Sequence, residues 1–420
     1  MPFTRDETGR ALLGGVALAD VLARVDVPTP FYAYDVDAIV VAARDLAAGF
    51  APHQHLVCYA VKANGAGRIV RRLAALGVGA DIVSGGELSV CLAAGVAPQR
   101  IVWSGVAKTN DEIDHALAHD ILSIHVESVE ELARVAARAK AAGRVGRVSL
   151  RLNPGVEADT HAGIATGHDE AKFGVPISDL DAALAEIRAH ASLRLVGVSS
   201  HVGSQMTTID AYVDGARALA SAARRVIDAR VPIELVDLGG GMGVDYGDGC
   251  HAQPAEFARA AARVLDDARL ADLTLLCEPG RALVANAGVL VARVIQTKRW
   301  SRPGSVGWVF LDAGMNDLVR PAMYGARHRV EPLVDRGGPR ATWRVAGPVC
   351  ESSDDFGTFE LPVAAPDAVV IRDAGAYGFA MACQYNGRAL ATEVFIEGGA
   401  VTSVARAATV DEWAARRGAT

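Results

Sequence analysis

The sequence predicts an α/β plus β chain: a (β/α)8 TIM-type barrel followed by a C-terminal all-β domain, Greek-key or sandwich-like. Three observations carry this. Eight short apolar runs alternate with Ala- and Leu-rich stretches of helical spacing between residues 55 and 278. After residue 285, strand-like runs follow one another with Gly and Pro between them. Polar, chemically active side chains gather where the barrel runs stop, the face on which barrels carry their sites.

The eight runs are His55–Ala60, Val78–Val83, Ile101–Ser104, Ile121–Val126, Val148–Leu152, Leu195–Ser200, Ile233–Leu238 and Leu273–Cys277. Continuous apolar runs of this length suit strands buried on both faces of a parallel sheet. Arg68–Leu76 and Glu130–Ala142 space their apolar residues by three and four, as helices do. Ser128-Val129-Glu130-Glu131 reads as a capping box opening the second of these helices. The later runs are Val289–Gln296, Trp308–Leu311, Thr342–Ala346, Val369–Arg372 and Glu393–Glu397, with an exposed turn expected at 333–340. Thr29–Tyr34 is also strand-like and precedes the barrel, so it is expected to join the later strands. The expected domains are therefore residues 36–285 for the barrel, and 1–35 with 286–420 for the β domain.

At 420 residues the chain has room for two or three domains at roughly 150 residues each. It is 51% hydrophobic and 22% charged, enough to bury large cores. A net charge of -7 gives no electrostatic footprint for nucleic acid or anionic membrane. No signal peptide or membrane-spanning run is read, so a cytoplasmic location is expected. The six cysteines are scattered without a C-x-x-C pair and read as free thiols.

Lys62 follows the first barrel run. An ammonium partly desolvated there becomes a nucleophile toward carbonyls, as a Schiff-base lysine for pyridoxal phosphate requires; the alternative is an ordinary solvated lysine. Asp81 closes the second run, Arg151 and Asn153 the fifth, and His201, Gly203 and Ser204 follow the sixth. Gly239-Gly240-Gly241 after the seventh is either a tight connection or a turn whose N–H groups approach a phosphate. The Gly280-Arg281 turn after the eighth favours phosphate, since barrels commonly bind it at these two loops. Glu278 is either an ion-pair partner of Arg281 or the carboxylate that keeps a pyridine nitrogen protonated. His201 is either a structural histidine or a ring stacked on the cofactor. A zinc site from His125, His161 and His201 lacks a metal-ligand spacing, and no metal is expected. In the second domain Cys350 lies beside Glu351 in a Gly/Pro-flanked loop, Tyr377 lies among small residues, and Arg320 and Tyr324 add a cation and a phenol. Cys350 as an inert thiol and Tyr377 as packing are the plainer readings.

In order along the chain, Tyr59-Ala60-Val61-Lys62-Ala63-Asn64, Ser84-Gly85-Gly86-Glu87, His201-Val202-Gly203-Ser204, the triple glycine, Glu278-Pro279-Gly280-Arg281, Cys350-Glu351-Ser352 and Gly375-Ala376-Tyr377-Gly378 resemble the fold-type III pyridoxal-phosphate decarboxylases. Arg320-Pro321-Ala322-Met323-Tyr324, Thr160-His161 and Lys172-Phe173-Gly174 are similar to the diaminopimelate branch. The resemblance implies decarboxylation of meso-diaminopimelate to L-lysine and CO2, the last step of lysine biosynthesis. It implies that Lys62 holds the cofactor as a Schiff base, that His201 stacks on its ring, and that Glu278 binds the ring nitrogen. Asp81, Ser204, Gly240, Gly241, Gly280, Arg281 and Tyr377 would complete the cofactor site. Arg281, Arg320, Tyr324, Glu351 and Tyr377 would hold the distal end of an amino-acid substrate, and Cys350 of a partner subunit would return the proton. A homodimer with shared active sites is implied.

Two features depart from the family pattern: Ser353, where a glycine is frequent, and the continuation Asp354-Asp355-Phe356. Both bear on loop shape. The alternatives are a related decarboxylase acting on carboxynorspermidine or a D-amino acid, a racemase, and a non-catalytic cofactor carrier. Glu278 argues against a racemase, since alanine racemases place an arginine at the ring nitrogen, and Lys62 with Cys350 argues against the carrier.

Overall fold

A computed structural model describes residues 2–24, 26–155, 172–247, 252–299, 302, 304–406 and 409–418. The chain divides into two compact units: Ala42–Val244 with Cys250–Ala282, and Met1–Val41 with Asp245–Gly249 and Leu283–Thr420.

In the first unit eight parallel strands close a barrel: His55–Ala60, Gly79–Ile82, Ile101–Trp103, Ser123–Val126, Gly146–Asn153, Leu193–Ser199, Leu235–Asp237 and Thr274–Cys277. Closure is direct, with Leu275, Leu276 and Cys277 of the eighth strand beside His55, Leu56 and Val57 of the first. Each strand falls within or across one of the eight expected runs. The helices between them include Gly67–Ala74 and Val129–Ala141, close to the two read from spacing. The box expected at the start of the second helix forms by half. Ser128 Oγ accepts the Glu131 N–H (3.1 Å), but the Glu131 carboxylate turns to the Glu127 N–H (2.8 Å) and the Lys108 ammonium (3.3 Å). The Lys108 ammonium and the Glu127 N–H together hold that carboxylate away from the Ser128 N–H.

The second unit is built on a mixed sheet. From one edge its strands run Asp355–Pro362, Arg340–Ala346, Gly307–Leu311, Gly288–Lys298, Phe31–Asp35, Thr392–Glu397 and Ala400–Ala405. Ala368–Ile371 also pairs with Gly288–Lys298, and Val330–Pro332 pairs with Ala368–Ile371. Phe31–Asp35 lies between Gly288–Lys298 and Thr392–Glu397, so the early strand does join the later ones. Phe31, Val289, Val291, Val370, Val394 and Ile396 share one core with Leu13 and Leu18 of an N-terminal hairpin and helix. The expected turn at 333–340 is exposed from Arg336 onward, whereas Leu333 is buried in that core. The unit also contains a single-turn helix, Arg320–Tyr324, ended by Gly325 at φ 61°. The described thiols Cys58, Cys91, Cys277, Cys350 and Cys383 are all free. No helix among the described residues is long and apolar enough to cross a membrane.

Candidate active site

Side chains alternate along a strand, so one parity faces inward. On the barrel strands that parity begins apolar, with Leu56, Cys58, Val102, Leu235 and Leu276 in one buried cluster. One residue pair further toward the C-terminal ends it becomes Ser104, Asp237 and Glu278; the same end carries Asp81, His125, Arg151 and Ser199, with Lys62 in the turn that follows the first strand. The alternation carries charged groups to one end of the barrel without interrupting the packing below them.

Lys62 lies in a 3-10 turn, Val61–Ala63, held by Tyr59, whose hydroxyl donates to Asn64 O (2.9 Å). Its half-buried ammonium donates to Asp81 Oδ2 (2.7 Å), a carboxylate with no solvent exposure. Inside the barrel, Glu278, His125 and Asp237 offer polar atoms within 4.8 Å of one another. His125 Nδ1 is 3.5 Å from Glu278 Oε1, and its Nε2 is 3.8 Å from Asp237 Oδ2. Ser104 Oγ reaches both His125 Nδ1 (3.3 Å) and Glu278 Oε1 (3.4 Å). Burial, then repulsion from Asp237 and Asp81, drives the Glu278 carboxyl well above the usual range. Burial likewise lifts Asp237 to about 7, and it depresses His125 to about 3, helped by Lys108, Arg151 and Lys62.

The loops after strands six, seven and eight lean on one another. A Cβ at Gly239, Gly240 or Gly241 would overlap the carbonyl oxygens of Ser200, Glu278 and Gly203 respectively. The triple glycine is thus required by close backbone approach, whatever else the turn binds. The Gly240 N–H donates to His201 Nδ1 (3.2 Å), and burial keeps that imidazole neutral, its pKa well below the usual value. Arg281 Nη2 donates to Ser204 Oγ (3.0 Å), placing a cation and a hydroxyl beside this turn.

A second buried network supports strands three to five. Lys108 is almost fully enclosed and donates to Gly105 O (2.7 Å), His125 O (2.6 Å) and Glu131 Oε1 (3.3 Å). Glu127 takes Arg151 Nη1 (2.7 Å) and the Gly105 (3.1 Å) and Gly174 (2.8 Å) N–H groups. Sequence reading missed His125 and Asp237 as members of the acid cluster, along with Lys108, Glu127 and Glu131. Two polar residues inside apolar runs, sharing parity with the strand-end groups, were the available signal. His161 and Thr160 lie outside the described residues.

The β-rich unit presents its own groups. Arg320 is buried, with Nη1 donating to His328 Nε2 (2.8 Å) and its guanidinium over the Tyr246 ring (4.7 Å). Tyr324 is half-buried on the same helix. Cys350 and Glu351 are exposed, and the 3-10 turn Tyr385–Gly387 holds both: Cys350 N–H donates to Asn386 Oδ1 (2.9 Å) and the Tyr385 hydroxyl to Glu351 Oε1 (2.7 Å). Asp354, one of the departures from the family pattern, closes this loop by accepting the Val349 and Met315 N–H groups (2.6 Å each). Ser353, the other, turns its hydroxyl to Met315 Sδ (3.6 Å). Tyr377 sits at φ 55°, a left-handed conformation that a tyrosine holds only under tertiary constraint.

Residues 36–285 match the family model for the pyridoxal binding domain of pyridoxal-dependent decarboxylases. Diaminopimelate decarboxylase of Pseudomonas aeruginosa is 40% identical over 399 residues, 95% of this chain and 94% of that protein. The crystal structure of diaminopimelate decarboxylase from Helicobacter pylori complexed with L-lysine matches with a TM-score of 0.88 at 35% identity, covering 94% of this chain and 98% of that one. The M. jannaschii diaminopimelate decarboxylase in co-complex with L-lysine matches with a TM-score of 0.91 at 32% identity, covering 99% and 97%. With relatives this similar along almost its entire length, the chain belongs to the diaminopimelate decarboxylases, a branch of the pyridoxal-dependent decarboxylase family.

Proposed function

We propose that the chain is a carboxy-lyase that converts meso-diaminopimelate to L-lysine and CO2 with pyridoxal phosphate. The observation that carries this reading is the pairing, at one end of the barrel, of an amine at Lys62 with a surplus of buried carboxylates at Asp81, Asp237 and Glu278. His125 among them is neutral, so a cationic ring nitrogen is the missing counter-charge. Arg281 and Ser204, next to the glycine turn, suit an anion. An aldehyde-reactive amine, a carboxylate for a ring nitrogen and an anion cradle together fit pyridoxal phosphate.

When bound, the cofactor supplies an electron-withdrawing pyridinium that stabilises negative charge at the carbon losing CO2. The chain's own residues do the rest. Lys62 would hold the cofactor's aldehyde, with Asp81 orienting the amine. Glu278 would keep the proton on the ring nitrogen, and His201, as a neutral ring, would cover the cofactor face. Ser204, Gly240, Gly241, Gly280, Arg281 and Tyr377 are assigned to the phosphate and its surroundings. Cys350, contributed across a homodimer, would return the proton. Arg281 and Arg320 suit a distal carboxylate, Glu351 a distal ammonium, and Tyr324 and Tyr377 line that end. Bidentate pairing of arginine with carboxylate would discriminate against diamino acids lacking the second carboxyl group. A cytoplasmic location accords with free thiols.

The test is to incubate cofactor-loaded protein with meso-diaminopimelate and assay CO2 and L-lysine, with L-ornithine, D-lysine and L-alanine in parallel. Lysine and CO2 from diaminopimelate alone support both the reaction and the distal-carboxylate reading. CO2 only from another amino acid reassigns Arg320 and Glu351. Racemised alanine without CO2 overturns the role of Glu278.

A further inference from the structure

Asp237 and His125 lie beneath Glu278, on the inward face of strands seven and four, with essentially no exposure. Asp237 Oδ1 accepts the Gly239 N–H (2.9 Å). Its Oδ2 and the facing His125 Nε2 lie 3.8 Å apart, and among the described residues neither has a hydrogen-bond partner. The cations around the cluster are engaged: Lys62 with Asp81, Arg151 with Glu127, and Lys108 with Glu131. Among the described residues the other titratable neighbours, Cys58 and Cys277 on strands one and eight, the His201 ring and Tyr212 on the helix Asp210–Asp228, are neutral through burial. One ring nitrogen can therefore balance one carboxylate of the Asp237–Glu278 pair, and two buried carboxylates sharing one counter-charge do not both ionise.

We propose that in the cofactor-loaded enzyme Asp237 is a carboxylic acid and His125 a neutral imidazole, and that together they position Glu278 as the one ionised carboxylate facing the ring nitrogen. The geometry explains the division. Asp237 is the deeper group, at the end of its strand and shut off from solvent, whereas Glu278 is the group one step nearer the barrel mouth, where the ring would lie. The neutral imidazole spans the two carboxyls without adding charge, and Ser104 fixes its Nδ1 edge. An acid kept neutral by an apolar site, so that a neighbour carries the charge, is a recognised way for one site to use two carboxyls differently.

This inference rests on the reading of Glu278 as the ring-nitrogen partner. Two measurements separate the failure of one from the failure of the other. The first is infrared spectroscopy of the cofactor-loaded protein at neutral pH, with and without 13C-labelled aspartate. A carboxylic-acid C=O band that shifts on labelling and is absent in Asp237→Asn is expected. Its absence from the wild type overturns the proposal whatever Glu278 does. The second is cofactor affinity, read by spectrophotometric titration with pyridoxal phosphate. Asp237→Ala removes the acceptor for Gly239 and should weaken binding by about tenfold or more, as losses of orienting groups do. Asp237→Asn keeps the shape without the charge and should restore affinity to within a few-fold of wild type. If Asp237→Asn binds as poorly as Asp237→Ala, Asp237 acts as an anion and the inference fails. If Glu278→Gln, which should still bind the cofactor, turns over like the wild type, the role of Glu278 fails instead.

Discussion

Asp237→Asn should make the cofactor-free protein more stable, and only above mildly acid pH. Burial lifts the Asp237 pKa from 3.8 to about 7, and Asp81 adds to the rise while the Gly239 N–H opposes it. A group whose folded pKa exceeds its unfolded value binds more protons in the native state between the two values. Stability therefore falls as pH rises through that window, by about 1.4 kcal/mol per unit. Over the roughly three units between 3.8 and 7 the loss sums to about 4 kcal/mol, complete above pH 7 and absent near pH 4. Asparagine matches the protonated acid in shape and does not titrate. The variant should equal the wild type near pH 4 and exceed it by about 4 kcal/mol at pH 8. His125, depressed from 6.5 to about 3, acts in the opposite sense: its support is full above pH 6.5 and is lost as pH falls toward 3. In the wild type these two slopes oppose each other between pH 4 and 6.5, and in the variant the histidine slope stands without Asp237 against it. Urea unfolding of cofactor-free protein at pH 5, 6, 7 and 8, followed by far-ultraviolet circular dichroism, reads the difference. A variant no more stable than wild type at pH 8 would refute the argument, because Asp237 would then ionise inside the barrel without penalty.

Lys62→Ala should abolish the visible absorbance of the lysine-bound cofactor while circular dichroism stays unchanged, and retained absorbance would remove Lys62 from its role. Lys108→Met should destabilise the protein by about 3 kcal/mol, the low end for breaking a buried ion pair, because Glu131 keeps the Glu127 N–H. Lys140→Met, exposed on the same helix, should stay within about 0.5 kcal/mol of wild type in the same urea titration. Cys350→Ala should slow turnover by about 10²-fold, the range for loss of a general acid, and near-normal rates would exclude the thiol. Asn386→Ala removes the acceptor of the Cys350 N–H and should lower kcat by about tenfold with little change in KM; a change confined to KM would contradict a role in placing Cys350.

The barrel was legible because each strand is buried on both faces and each inter-strand segment carries helical spacing; sequence periodicity and three-dimensional burial coincide there. The β-rich unit was read less completely. Asp355–Pro362 is an edge strand in which buried and exposed residues alternate, with Gly357 inside it at φ 108°, and it shows no apolar run. Ala400–Ala405 is likewise at an edge, with no residue fully buried. Such strands are defined by the neighbour they pair with, and a single sequence does not display that neighbour.

The site divides along the same physical line. Lys62, Glu278 and Arg281 stand just past the ends of apolar runs, where a charged residue contrasts with what precedes it. His125 and Asp237 stand inside such runs, and only strand parity sets them apart. His125 shares its face with Ser123, and Asp237 its face with Leu235, so one strand enters the interior polar and the other apolar. Their chemistry arises from closure of the barrel, which brings strands four, seven and eight to one centre. A histidine and an aspartate that each look like core residues become, at 3.8 Å, neighbours in one buried polar centre. The departures at Ser353 and Asp354 make the same point in the other unit. Asp354 reads as an irregular acidic residue in the sequence, and in the fold its two backbone hydrogen bonds shape the loop that carries Cys350 and Glu351. Residues whose role is to hold another residue become visible only once the partner's position is known, so the positioning groups of a site are the ones that sequence reading misses first.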